Sequence, residues 1–329
     1  MNRSFSPAWW LHGPHVQTLW GKLFRRESVH ETQIERLGTP DGDFLDIHHL
    51  EGPDEAPLLI LLHGLEGSVR SHYIQGLLTE ARQRQWRAAV MVFRSCGSEL
   101  NRGRRFYHSG ETSDLNFVVQ HLETRFPESP LLLAGVSLGG NVLLKYLGEK
   151  SAGISPRIKA AAAVSVPFDL ARSSRYIDRG FSKVYQKSFL RSLNAKARIK
   201  LTQFPDIASP ERLREANTMF AFDDCFTAPV HGFRDAADYY QQSSSIRWIE
   251  KISINTLLLS AIDDPFLPPQ VLDEVRTIAE RNPRLELDFP QHGGHVGFVS
   301  GRNPFNPVYY LERRVSGFLA QQLDASVTF

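Results

Sequence analysis

A single serine lies between two glycines in the stretch "AGVSLGG", where Gly135, Ser137 and Gly139 form a Gly-x-Ser-x-Gly pattern. The leucines at 131–133 predict a buried parallel strand before it, and the apolar spacing at 142–147 predicts a helix after it. A sharp turn from strand to helix strains its central residue, so the neighbours must be small. Folding alone does not require a serine there, and the pattern therefore favours an exposed nucleophilic hydroxyl over an incidental serine. A phosphate loop is excluded, because asparagine and not lysine follows the glycines.

Serine chemistry requires further groups, and the sequence supplies candidates for each. A serine hydroxyl needs a histidine to take its proton, a carboxylate to orient that histidine and N–H groups to hold an oxyanion. Asp263 and Asp264 follow one strand-like run, and His292 and His295 lie in a loop after the last such run.

Other histidines are better explained structurally. His63, in the turn "HGLEGS" after an earlier strand-like run, is expected to bond loop backbone rather than act as a second base. His48 and His49 lie within a predicted strand, where successive side chains face opposite ways, so they do not predict a metal pair. The segment Tyr107–Thr112 could line a pocket or cap the next helix, and the sequence leaves both roles open.

Strand-like and helix-like runs alternate along the chain, which predicts an α/β fold with a mostly parallel sheet and helices on both faces. The runs at 32–37 and 43–50 predict an opening antiparallel hairpin, and Gly148 is expected to end the helix that follows Ser137. The remaining runs predict strands near 57–64, 86–93, 158–167, 255–263 and 284–289, and helices near 73–85 and 114–126.

The strand pattern stops between residues 168 and 252, where the sequence is helical, irregular and rich in aromatic residues. Such a segment is too long for an ordinary connection, which predicts a helical lid inserted between a first core part at 1–167 and a second at 253–329. The alternative is a set of helices that only thickens the fold. The aromatic residues are Tyr176, Phe181, Tyr185, Phe189, Phe204, Phe220, Phe222 and Phe226.

Composition excludes several classes of protein. The chain has 329 residues, of which 42% are hydrophobic, and a formal net charge of +2, which is too small to indicate a nucleic-acid partner. Cys96 and Cys225 give neither a disulfide framework nor a metal-binding spacing, so we expect a cytoplasmic location. No apolar run is long enough to span a membrane. Trp9 and Trp10 leave a peripheral membrane contact open, although packed aromatics are the more common explanation.

The sequence resembles the α/β-hydrolase superfamily, and within it the YheT-like abhydrolases, over nearly its whole length. Serine, then acid, then histidine is the order of the catalytic groups in α/β hydrolases. One departure is Ser95 in "FRSCGSELNR", where similar proteins tend to carry glycine in a loop near the site. The resemblance rests on "PHVQT", "HGLEGS", "NRGRRFYHSGETSDL", "GVSLGGN", "FDDCFTAPVHGF", "LLLSAIDDPF" and "GGHVGF".

The resemblance implies a role for each residue. Ser137 is the nucleophile, and His295 is preferred to His292 because it matches the Gly-Gly-His of the superfamily. The acid of the superfamily is followed two residues later by an apolar side chain, which favours Asp264, followed by Phe266, over Asp263. Asp169, after the preceding strand-like run, is a distant third candidate, because some relatives use that site. The oxyanion hole is then expected from the backbone N–H groups of Leu65 and Leu138, the second at the start of a helix.

The implied activity is that of a serine hydrolase, a carboxylesterase or lipase that forms an acyl-serine intermediate on a small ester or lipid and uses no cofactor or metal. Two alternatives stay open on the same fold. One is an acyltransferase, and the other is a ligand-binding protein without catalysis, which the presence of serine, acid and histidine together disfavours. The sequence does not predict the oligomeric state.

Overall fold

The computed structural model describes residues 5–25 and 29–325. The strands are β1 (Gln33–Gly38), β2 (Phe44–Leu50), β3 (Leu58–Leu62), β4 (Arg87–Val92), β5 (Leu131–Val136), β6 (Ile158–Val164), β7 (Asn255–Leu259), β8 (Leu285–Asp288), β9 (Val299–Ser300) and β10 (Val308–Tyr309). The helices are α1 (Pro14–Phe24), α2 (His72–Gln83), α3 (Thr112–Arg125), α4 (Leu138–Lys150), α5 (Leu170–Tyr176), α6 (Ser182–Gln203), α7 (Pro210–Glu215), α8 (Met219–Phe222), α9 (Ala228–His231), α10 (Ala236–Ser243), α11 (Pro269–Ala279) and α12 (Tyr310–Ala325).

Eight of the strands form one sheet in the order β1-β2-β4-β3-β5-β6-β7-β8. The β1–β2 and β2–β4 pairs are antiparallel and the others are parallel, which confirms both the opening hairpin and the mostly parallel sheet. Because β3 and β5 to β8 are parallel, their carboxyl ends meet at one edge of the sheet. The loops that follow these strands carry all the predicted site residues.

Helices cover both faces of the sheet, as predicted. Alternate residues of the central strands point into two separate apolar clusters, one packed with residues of α3 and α4 and the other with residues of α2 and α12. Strands buried on both faces have no polar side to place in water, which explains why β3 is an unbroken run of leucine and isoleucine. In the part of the chain that the structure describes, no helix is long and apolar enough to cross a membrane.

The segment between β6 and β7 is helical, as its sequence indicates, and contains α5 to α10. The residues Asp223–Thr227 form a single π-helical turn between α8 and α9. Some of its aromatic side chains are buried within the segment, including Phe226, whereas Phe181 and Phe220 are exposed. The boundaries of a lid at 168 and 252 stay a prediction.

One expectation about α4 was wrong. Gly148 does not end the helix, which continues to Lys150 and stops at Ser151, a residue with a positive φ of 45°. A Cβ at Gly148 would collide with the carbonyl oxygen and side chain of Trp248. The glycine therefore serves a close approach between α4 and the chain before β7, and not a helix end.

This close approach predicts different outcomes for two glycine substitutions. Gly148→Ala should destabilise the protein by about 1–3 kcal/mol, because the new methyl group must push the Trp248 backbone away. Gly153→Ala is the matched control, since a Cβ there meets open space. Urea unfolding of both variants checks this, and equal midpoints would show that the Trp248 contact is not tight.

Candidate active site

Ser137 occupies a strained turn between β5 and α4. Its φ of 54° and ψ of −120° lie outside the regions that residues with a side chain favour, and its N–H donates to the Val164 carbonyl oxygen at 2.8 Å. The two flanking glycines are explained by space. A Cβ at Gly135 would collide with the Gly139 backbone, and one at Gly139 would lie 2.5 Å from the His63 carbonyl oxygen. The Gly-x-Ser-x-Gly spacing is thus what lets β3, β5 and α4 close around this serine.

The structure brings Ser137, His295 and Asp264 into one chain of hydrogen bonds. His295 Nε2 lies 3.0 Å from Ser137 Oγ, and His295 Nδ1 lies 2.9 Å from Asp264 Oδ2. Because an ionised carboxylate only accepts, Nδ1 carries the proton and Nε2 is free to accept from the serine. Asp264 is 1% exposed. This geometry is suited to proton removal from Ser137.

Phe266 gives a physical reason for the Asp-x-Phe spacing. Its backbone N–H donates to Asp264 Oδ1 at 2.8 Å, which occupies the carboxylate oxygen that His295 does not use. Its ring stacks on the His295 imidazole with centroids 4.1 Å apart. One residue therefore orients both Asp264 and His295.

The competing residues Asp263, His292 and Asp169 have other hydrogen-bond partners. Asp263 Oδ1 accepts from the Gly294 N–H at 2.9 Å, and its other oxygen accepts from His292 Nδ1 at 3.2 Å. His292 is exposed. Asp169 caps α5 by accepting from the Arg172 N–H and also pairs with the guanidinium of that residue. These contacts are structural, and none of them joins the Ser137 hydrogen-bond chain.

The helix α1, for which no role was predicted from the sequence, supports the histidine loop. The His295 N–H donates to Thr18 Oγ1 at 2.9 Å. The Gln17 amide both donates to the Val299 carbonyl oxygen and accepts from its N–H, at 3.1 and 2.8 Å. A Cβ at Gly294 would collide with the Pro14 carbonyl oxygen. The only signal in the sequence was the motif "PHVQT", whose function has no local explanation.

The N–H groups expected for the oxyanion hole lie beside Ser137. The flanking amides in the loop after β3 are occupied, since Gly64 N–H donates to the Tyr73 hydroxyl and Glu66 N–H to the Tyr107 hydroxyl. Between them, the Leu65 N–H has no hydrogen-bond acceptor among residues 5–25 and 29–325. Leu65 and Leu138 both line the same cavity as Ser137. Both residues thus lie at the cavity onto which Ser137 opens, and their role as oxyanion donors stays a prediction.

His63 is occupied by backbone on both ring nitrogens. Nδ1 donates to the Gly64 carbonyl oxygen at 2.8 Å, and Nε2 accepts from the Phe93 N–H at 3.1 Å. Burial lowers the pKa of this imidazole to about 4, so it is neutral at physiological pH. These contacts fit the predicted structural role.

Ser137 opens onto a cavity of about 120 Å³ with mostly apolar walls. Of the eight aromatic residues noted in the segment between β6 and β7, Phe189 and Phe222 line it. The segment Tyr107–Thr112 serves both of the roles left open, because its first three residues line the cavity and Glu111 caps α3. Other apolar lining residues are Phe106, Leu170, Ile177, Leu193, Met219 and Leu267.

Asp223 lines the same cavity and was not singled out in the sequence. It accepts from the Thr227 and Tyr240 hydroxyls at 2.6 and 2.7 Å. Burial raises the pKa of this carboxyl to about 6. Within the described ranges, no lysine, arginine or histidine nitrogen lies within 4.0 Å of it. The π-helical turn that holds Asp223 is of a kind frequent at functional sites.

One group of side chains within the described residues could hold a metal ion, namely His108, Glu111 and His231, whose ligand atoms all lie within 4.8 Å of one another. The Glu111 carboxylate already accepts from Arg105 at 2.7 Å and from the N–H groups that begin α3. Burial lowers the pKa of His231 to about 2, so its imidazole is neutral. We give this group no part in the chemistry of Ser137.

Comparison with known proteins places the chain in a family. Residues 57–301 match the family described as the alpha/beta hydrolase fold. The chain is also 39% identical to the Escherichia coli (strain K12) protein named "Putative esterase YheT", over 98% of this chain and 94% of that protein. The chain is an α/β hydrolase of the YheT-like family.

Further relatives of this α/β hydrolase include esterases and lipases. The protein named "Phospholipase ABHD3" of Mus musculus is 27% identical to it over 98% of this chain and 80% of its own length. Among solved structures, the Pyrococcus furiosus esterase Pf2001 has a TM-score of 0.58 at 17% identity and covers 90% of this chain and 91% of its own. That likeness supports the fold alone.

The contacts of the adjacent aspartates predict opposite outcomes for two matched substitutions. Asp264→Asn should reduce ester turnover by a factor on the order of 10⁴, because the amide favours the wrong tautomer of His295. Asp263→Asn keeps an oxygen to accept from Gly294 and should retain most of the activity. Steady-state kinetics on a p-nitrophenyl ester checks this. The reverse order of rates would show that Asp263 is the acid.

Proposed function

We propose that this α/β hydrolase is a serine esterase that cleaves carboxylic esters through an acyl-serine intermediate. The observation that carries the proposal is the hydrogen-bond chain from Ser137 through His295 to the buried Asp264, which opens onto a mostly apolar cavity. The esterase and phospholipase names of the relatives point the same way.

In the proposed reaction, Ser137 Oγ attacks the ester carbonyl carbon while His295 Nε2 takes its proton. The Leu65 and Leu138 N–H groups hold the oxyanion that forms. As the tetrahedral intermediate collapses, His295 gives its proton to the departing alkoxide, and the acyl group stays on Ser137. A water molecule, deprotonated by His295, then releases the carboxylic acid and restores the serine. Asp264 stabilises the imidazolium in both halves.

The segment between β6 and β7 acts in this proposal as a lid, with the boundaries 168 and 252. It supplies Leu170, Phe189 and Met219 to the cavity walls. A substrate binds such a cavity more tightly when its acyl methylene groups are removed from water by the apolar walls. This favours a neutral ester or lipid with a short or medium acyl chain. A cytoplasmic location, favoured by the free thiols of Cys96 and Cys225, is part of the same proposal.

The nucleophile is tested by Ser137→Ala. This variant should lose both fluorophosphonate labelling and p-nitrophenyl ester turnover, because Ser137 carries the one hydroxyl among residues 5–25 and 29–325 that is hydrogen-bonded to the His295 imidazole. Thermal unfolding of the variant serves as the control for folding. Labelling of the variant at the wild-type level would refute the assignment.

The acyl pocket is tested by a series of p-nitrophenyl esters. We expect kcat/KM to rise about fourfold for each added methylene, which corresponds to about 0.8 kcal/mol of burial, until the cavity is full. Met219→Trp, which adds volume to the wall, should move the optimum to shorter chains. If kcat/KM does not change with acyl-chain length, the proposal of an acyl pocket is wrong. An optimum at long chains would indicate a lipase.

A further inference from the structure

The helix α1 turns polar and small residues inward and apolar residues toward the solvent. Its buried residues are Gln17 and Gly21, whereas Leu23 and Phe24 are 62% and 60% exposed. A surface helix normally turns its apolar side to the core. Here the Gln17 amide bonds the Val299 backbone, and Gly21 lets the His72 ring approach. The inward side of α1 therefore binds the rest of the protein through hydrogen bonds and a close approach. These contacts do not explain why the outward side of the helix is apolar.

The half-buried Trp10 and Trp20 join the exposed Trp9 to the exposed Phe24. Ring contacts run from Trp9 to Trp10 at 5.8 Å, from Trp10 to Trp20 at 6.5 Å and from Trp20 to Phe24 at 4.9 Å. The exposed Phe181, directly before α6, contacts α1, because its ring centroid lies 4.7 Å from that of His15 in α1. We call this surface the aromatic face, and it consists of Trp9, Val16, Trp20, Leu23, Phe24, Phe181 and Val184.

The helix α6, which adjoins the aromatic face, is strongly basic. Its 22 residues include six lysines and arginines and no aspartate or glutamate. Three of the basic residues, Lys187, Arg191 and Arg198, are exposed and make no ion pair within 4.0 Å among residues 5–25 and 29–325. An uncompensated row of positive charge beside exposed tryptophan and phenylalanine is characteristic of proteins that bind membrane surfaces.

We propose that the aromatic face and the basic side of α6 form a docking surface for an anionic lipid bilayer. The rings would enter the boundary between headgroups and acyl chains, and the basic side chains would lie against anionic headgroups. A second copy of the chain is disfavoured as the occupant, because a two-fold contact through this surface would bring two like-charged α6 helices together.

The docking surface is coupled to the proposed esterase site. The helix α1 holds the His295 amide through Thr18, and Tyr185 of α6 packs 5.0 Å from Phe266, which stacks on His295. Docking would therefore bring a lipid ester close to Ser137. This consequence rests on the proposed function, whereas docking itself is measured without turnover.

Binding is tested with the full chain by co-sedimentation with two kinds of vesicle, phosphatidylcholine alone and phosphatidylcholine mixed with phosphatidylserine. We expect binding to the mixed vesicles with a blue shift of tryptophan emission. Lys187→Gln with Arg191→Gln should weaken it by about 25-fold, at about fivefold per charge. Leu23→Ser with Phe24→Ser should abolish the blue shift. Ile34→Ser, at a residue that is 65% exposed on the edge strand β1, is the matched control and should bind normally.

Turnover of a water-soluble ester by the same variants should be unchanged, so a failure to dock and a failure of the esterase proposal give different results. Absence of wild-type binding to mixed vesicles would overturn the docking surface, as would binding that neither double variant weakens. A concentration-dependent dimer that Leu23→Ser with Phe24→Ser dissociates would also overturn it, because the aromatic face would then be covered by a second copy.

Discussion

Ser137 keeps a left-handed backbone conformation because neighbouring backbone segments close around it without side chains between them. The β6 carbonyl of Val164 accepts its N–H, and Gly139 lies directly against the His63 carbonyl. A residue held this way costs of order 1–3 kcal/mol and persists only where the surroundings determine it. The sheet holds these surroundings in place, because β3, β5 and β6 are paired along their length. The backbone conformation of Ser137 is thus a consequence of how tightly the centre of the sheet is packed.

The histidine loop is held by several separate parts of the chain. Thr18 of α1 bonds the His295 N–H, Ser165 after β6 bonds the Val296 N–H, and Asp263 after β7 bonds the Gly294 N–H. The loop contains Val296 and Phe298 with φ of 60° and 45°, so its conformation depends on these anchors. His295 can keep its 3.0 Å distance to Ser137 only because the loop that carries it has little conformational freedom.

The sequence predicted those features whose causes are local. A Cβ at Gly135 would meet the Gly139 backbone, so this part of the turn around Ser137 is explained within a few residues. The alternation of strands and helices was sufficient to predict the sheet, whereas the preference for Asp264 came from the family resemblance. Contacts between distant segments were not predictable. Nothing near Thr18 indicates a bond to His295, and Gly148 resembles a helix end until Trp248 is seen against it. Asp223 was missed although it lies in the motif "FDDCFTAPVHGF", because nothing local in that motif shows that this carboxylate is buried beside the cavity.

The bond between Thr18 and His295 joins residues 277 positions apart. On a ribosome that adds about 5–20 residues per second, roughly 14–55 s pass between the synthesis of these two residues. During that time α1 has neither the loop that it anchors nor Val299 to satisfy Gln17. During this period Leu23 and Phe24 are exposed, and the Gln17 amide also has no partner at Val299. The surroundings of Ser137 can consequently be completed only after His295 and Val299 have been synthesised. The helix α1 is made long before these contact partners.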